Sequence, residues 1–86
     1  MRKLLFFHAS WCSPCRYYHK LFIEPVEQAA GAGQVIPIDA WKKPQEAEKY
    51  HIDKLPSVVL LDGEEVYTQY RGYMDVNEIA SWLRGV

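Results

Sequence analysis

The sequence has little cysteine, no long apolar run and no block of like charge. Only two cysteines, Cys12 and Cys15, stand among 86 residues. A bridge between them would close almost no loop, so it would remove little entropy from the unfolded chain. A disulfide-scaffolded extracellular mini-protein needs several bridges across long loops, and that class is excluded. No stretch approaches the roughly 20 apolar residues of a membrane span. Opposite charges nearly cancel to a formal -1, which gives no reason to expect nucleic acid as a partner. The start, Met1-Arg2-Lys3-Leu4-Leu5-Phe6-Phe7, briefly imitates a signal peptide. Polar residues and the cysteine pair arrive before a full apolar core and cleavage site could form. Residues 1–86 therefore read as one mature domain, and a cytoplasmic location is expected.

What is present is enough apolar side chain for a core, with 49% of residues hydrophobic and 14% aromatic. Lys3 to His8 is an almost continuous apolar run, the pattern of a strand buried on both faces. Ser10 to Cys15 turns sharply, with Pro14 suited to a first helical turn. Cys15 to Ile23 looks helical, with Tyr18, Leu21 and Phe22 on one face. Pro25 is expected to break or kink that helix near Glu24. Val26 to Ala30 can continue as a second piece, ended by Gly31 and Gly33.

Val35-Ile36-Pro37-Ile38 is a strand that its proline confines to a sheet edge or bulge. Pro44 starts a short helix through about Tyr50. Ser57 to Leu61 is a second buried strand. Asp62-Gly63 turns it into a hairpin with Val66 to Tyr70. Asp75 and Glu78 form a capping pair for a last helix, whose stripe is Ile79, Trp82 and Leu83. The order is βαβαββα: an α/β domain with a four-stranded mixed sheet flanked by helices, its first crossover parallel.

Trp11-Cys12-Ser13-Pro14-Cys15 lies between the first strand and its helix. Cys12 falls at the helix N-terminus, where free N–H groups and the macrodipole favour an anion. Such placement lowers a thiol's pKa and makes Cys12 the attacking thiolate. Cys15, almost one turn inside, can reach back to resolve a mixed disulfide. The competing zinc reading wants four ligands. There is no second cysteine pair, and His8, His19 and His51 do not supply the usual spacing, so no metal is expected. A second feature is Lys54-Leu55-Pro56-Ser57-Val58. Its proline is either an ordinary turn residue opening a strand or part of a cis Leu55–Pro56 bond.

Taken in order, these pieces resemble thioredoxin. They are an apolar strand, Trp11-Cys12-x-Pro14-Cys15, Ile38-Asp39, Leu55-Pro56-Ser57-Val58, Asp62-Gly63-Glu64 and Gly72 before the last helix. The resemblance covers nearly the whole chain. It implies a thioredoxin-like fold, a cis proline at Pro56, a nucleophile at Cys12 and a resolving thiol at Cys15. It also implies a shallow apolar groove for disulfide-containing protein substrates, lined by Trp11, Pro14, Leu55, Pro56 and Gly72. Tyr73 is a candidate extension of that groove. No bound cofactor is implied beyond the redox-active Cys12–Cys15 disulfide. Reduction by an NADPH-dependent thioredoxin reductase, electron transport through the cysteine pair and a monomeric state complete the expectation.

Four departures stand out. Thioredoxins usually begin with an extra strand and helix, whereas this chain starts at the following strand, giving the minimal element order of glutaredoxins. Ser13 replaces the usual glycine. Phe6 replaces the family's buried aspartate, and its lysine partner aligns approximately with Val35. The helix-kinking proline lies further from the cysteines, at Pro25, so the helix is expected to run straight for longer. Arg16 and Lys54 are candidates to favour thiolates, or else ordinary solvated charges. The rival readings are a glutathione-dependent, glutaredoxin-like reductase and a non-catalytic binding module on the same fold. Proline second in the motif, after Trp11, ranks the glutaredoxin reading lower.

Overall fold

In the computed structural model, which describes residues 1–85, the apolar run becomes an interior strand. Four strands form one mixed sheet in the order β2-β1-β3-β4. They are β1 (Arg2–His8), β2 (Val35–Asp39), β3 (Ser57–Asp62) and β4 (Glu65–Tyr70). β1 runs parallel to β2, with Leu4 beside Val35 and His8 beside Asp39. It runs antiparallel to β3, with Phe7 beside Ser57, and β3 and β4 form the hairpin. Pro37 sits on the outer strand β2, where a missing ladder donor costs least.

Alternation along β1 divides the core into two layers. Leu4 and Phe6 pack with Cys15, Tyr18, Ile23, Val26, Ile79 and Leu83 on one face. Leu5 and Phe7 pack with Ile38, Tyr50, Val59 and Leu61 on the other. Each such side chain contributes roughly 1.5–3 kcal/mol when fully buried. α3 (Pro44–Lys49) covers the second face through Ala47. α4 (Val76–Arg84) covers the first and starts at Asp75, whose carboxylate accepts the Glu78 N–H at 3.1 Å. Trp82 is half-buried at the margin of α4, with Tyr67 stacked at 4.7 Å and the Arg2 guanidinium over its ring.

The helix after the cysteines differs from the expectation. α1 (Ser13–Tyr18) passes into a π-helical segment (His19–Ile23) and then into α2 (Glu24–Ala30). Pro25 does not break it: the backbone stays helical at Ile23 and Glu24. Pro25 has no N–H to donate, and in a regular helix its ring would crowd the carbonyl four residues back. The wider turn, with the Glu24 N–H donating to His19 O five residues back, accommodates it. That turn also rotates the side chains. Leu21 points to solvent, 63% exposed, and Ile23 enters the core in its place.

Candidate functional site

Three segments leave the sheet at one end. β1 ends at His8 and runs into the cysteine turn, and its neighbour β3 begins there at Ser57. β4 is paired with β3 at Val58–Tyr70, so the Arg71-Gly72 loop leaves at the same end. The sheet thus places Cys12, Pro56 and Gly72 around one edge.

The turn is fixed by backbone bonds. The Cys12 N–H donates to Ala9 O at 3.1 Å, and the Cys15 N–H to Cys12 O at 3.2 Å. Cys12 is the N-cap of α1 in an extended conformation, and its Sγ accepts the Cys15 N–H at 3.2 Å. The two cysteines are joined as a disulfide, with Cα atoms 5.3 Å apart. Both are buried, Cys12 at 4% and Cys15 at 3% exposure, so exposure does not separate them. Position does. Cys12 lies at the helix entry, between the exposed Trp11 and Ser13, where an N–H aimed at sulfur favours a thiolate once the bond is reduced. Cys15 lies within the helix, packed in the core.

The Leu55–Pro56 peptide is cis, the geometry that the resemblance implies. Leu55 and Trp11 line one groove of about 470 Å³ together with Trp41, Ala40, Pro44 and Ile52. Pro14, Pro56 and Gly72 are not among its walls. Gly72 instead accepts a 2.8 Å hydrogen bond from the Tyr18 hydroxyl. Burial, and secondarily Tyr70, pushes the Tyr18 hydroxyl well above the ordinary tyrosine range. Tyr73, next to Gly72 and 78% exposed, is likewise not among the walls of the Trp11–Trp41 groove. Its ring stands edge-on to Phe22 at 5.8 Å. Trp41, 75% exposed, is the groove residue that sequence reasoning missed. Its one signal was a large aromatic in a polar stretch just after β2.

Phe6 and Val35 are both buried in the same apolar layer. The acid and base of the resemblance are thus replaced together by packed hydrophobic groups, which avoids an unpaired buried charge. Arg16 is held at the mouth of the site by bonds to Ser10 O at 3.1 Å and Ser13 Oγ at 3.2 Å. Lys54 lines the Trp11–Trp41 groove. Among the described residues no three His, Cys, Asp or Glu side chains are grouped to hold a metal ion. Among them, too, no helix is long and apolar enough to cross a membrane.

A family model described as Thioredoxin matches residues 2–85. Thioredoxin M3, chloroplastic, of Oryza sativa subsp. japonica is 38% identical over 66 residues, covering 76% of this chain and 38% of that protein. Thioredoxin Y2, chloroplastic, of Arabidopsis thaliana is 30% identical over 76 residues, covering 88% and 46%. The chain therefore spans less than half the length of these curated relatives. Among solved structures, mitochondrial thioredoxin 3 of Saccharomyces cerevisiae aligns with a TM-score of 0.78 at 18% identity, covering 99% of this chain and 78% of that one. A mutant thioredoxin from Halobacterium salinarum NRC-1 aligns at 0.74 with 24% identity, covering 98% and 73%. At these identities the structural likeness speaks for the fold.

Proposed function

The chain belongs to the thioredoxin family, and on that footing we propose that it is a dithiol–disulfide oxidoreductase that reduces protein disulfides through Cys12 and Cys15. One observation carries the proposal. The two cysteines are already bonded across the first helical turn, and Cys12 Sγ accepts the Cys15 N–H.

In the reduced protein the Cys12 thiolate attacks one sulfur of a substrate disulfide. A mixed disulfide forms, and the other substrate sulfur leaves with the electron pair. Cys15 then attacks Cys12 Sγ, restores the internal bond and releases the second substrate sulfur. The groove holding Trp11, Leu55 and Trp41 supports a polypeptide substrate, since it presents exposed aromatic area and Trp11 directly precedes Cys12. Trp11, Pro14, Leu55, Pro56 and Gly72 are the proposed substrate contacts.

The working cycle needs a reductant, proposed to be an NADPH-dependent thioredoxin reductase, and a reducing compartment such as the cytoplasm. Insulin reduction coupled to such a reductase tests the reading. The wild type is expected to turn over and Cys12→Ser to be inactive. Full turnover by Cys12→Ser would sink the mechanism.

A further inference from the structure

Cys15 has to lose a proton before it can resolve a mixed disulfide, and its surroundings oppose that. It is 3% exposed and packed among Phe6, Tyr18 and Ile23. Burial in apolar surroundings disfavours a thiolate. The strand position facing the helix offers no carboxylate, because it is Phe6.

A cleft of about 480 Å³ opens behind the disulfide and reaches Cys15. Its polar walls are His8, His19, Arg16 and Ser10, and its floor is Phe6, Ala9 and Pro37. His8 follows Phe6 on the same face of β1, with ring centroids 5.3 Å apart. His19 comes from the π-helical segment and lies 5.8 Å from the same Phe6 ring. The phenyl ring that removes the acid therefore carries two imidazoles beside it. They are the proton acceptors among the cleft walls: Arg16 is a fixed cation and holds no lone pair for a proton.

We propose that the cleft is the proton exit for Cys15, with the imidazoles of His8 and His19 as its acceptors. This inference rests on the oxidoreductase reading above. In the mixed disulfide the Cys15 S–H proton passes, by way of water in the cleft, to an imidazole nitrogen. The Cys15 thiolate attacks Cys12 Sγ, the Cys12–Cys15 bond forms, and the bond from Cys12 to the substrate sulfur breaks. The electron pair leaves on that substrate sulfur, which takes a proton from solvent. The imidazolium returns its proton to solvent through the cleft mouth. The two cysteines are oxidised and the substrate disulfide is reduced.

Other charged groups set the field. Arg16 adds positive charge at the mouth, which favours a thiolate. Glu24 lies 3.6 Å from His19 Nδ1, with Lys20 on the same helical surface. Asp39, in register with His8, turns Oδ1 to the N–H groups of Trp41 and Lys42. The adjoining end of β3, Ser57-Val58, is uncharged.

Stopped-flow reaction of the reduced protein with the chromogenic disulfide dithiobis(nitrobenzoate) tests this. Cys12 releases the first thiophenolate and Cys15, in resolving, the second. In the wild type the second phase is expected to be fast near pH 7. In the double variant His8→Gln with His19→Gln it is expected to slow at least about tenfold near pH 7. Its rate should recover only as pH rises and hydroxide takes the Cys15 proton instead. Circular dichroism reports whether the variant is folded, and the single variants keep the test open if the double one unfolds. A loss in one single variant assigns the step to that ring. A double variant that matches the wild type in rate and pH profile overturns the inference but leaves the oxidoreductase reading standing. A wild type that releases only the first thiophenolate defeats the reading itself.

Discussion

The Tyr18 hydroxyl donates a 2.8 Å hydrogen bond to the Gly72 carbonyl, 54 residues away in sequence. The bond ties the helix that carries the cysteines to the loop that leaves β4. The Tyr18 ring packs against both Phe6 and Phe22, and its hydroxyl meets the Gly72 carbonyl beyond them. The helix and the loop are thereby held in one arrangement around the disulfide.

Tyr18→Phe is expected to lower stability by about 1 kcal/mol at neutral pH, the net worth of one hydrogen bond. The sign with pH is fixed by linkage. The Tyr18 hydroxyl in the folded state is raised by burial and by Tyr70. Above about pH 10 the unfolded chain releases this proton while the folded chain keeps it, so the wild type loses stability as pH rises. Tyr18→Phe removes that contribution, and the gap between the two proteins should narrow above about pH 10. Urea unfolding at neutral pH and near pH 10.5 measures both effects. A gap that is constant with pH would contradict the burial argument.

Cys15→Ser is expected to trap the reaction at its midpoint. Cys12 keeps the Cys15 position's backbone N–H as a donor to its sulfur, so attack on a protein disulfide should proceed. Without the second thiol the mixed disulfide cannot resolve internally. Non-reducing gels and intact mass should show a covalent adduct that thiol reagents release. An adduct that forms in Cys12→Ser and not in Cys15→Ser would reverse the assignment of the two cysteines.

Asp75→Ala should cost about 1 kcal/mol, because the carboxylate caps the Glu78 N–H at the start of α4. That helix supplies Ile79, Ala80 and Leu83 to the core, each no more than 3% exposed. The loss should therefore appear in global unfolding rather than as local fraying. Asp75→Asn, which keeps an acceptor, should restore most of it. Denaturant midpoints for the three proteins check the prediction.

The legible parts of this chain are those where local chemistry and tertiary packing agree. The run Leu4 to Phe7 is buried in both layers because hydrophobic strands need cover on both faces. Pro37 marked an outer strand, and Asp75 with Glu78 marked a helix start, each through one missing or added hydrogen bond. The sequence pattern failed where a turn changed width. Leu21 looked like a core residue at regular helical spacing, and the π-helical segment turned it out. At the site, the spacing of Cys12 and Cys15 was readable because their bridge is local. The meeting of His8 and His19 over Phe6 was not, because it joins a strand face to a helix that only the fold brings together.

Trp41 follows from that same distinction. It lies on the loop after β2, far from the cysteines in sequence, and enters the groove with Trp11 and Leu55 only through the β1–β2 crossover. It is 75% exposed and Trp11 is 65% exposed. Aromatic area of this kind gains most when a partner covers it. Trp41→Ala is therefore expected to raise KM for a protein disulfide roughly fivefold, about 1 kcal/mol of lost contact. It should leave the reaction with dithiobis(nitrobenzoate) unchanged, since that small disulfide has no chain to lay along the groove. Tyr73→Ala is the control: its ring packs on Phe22, outside the groove, so its KM should match the wild type. Equal KM values in all three proteins would mean that the substrate chain takes another course. A loss in Tyr73→Ala alone would place that course over Gly72 and the helix instead.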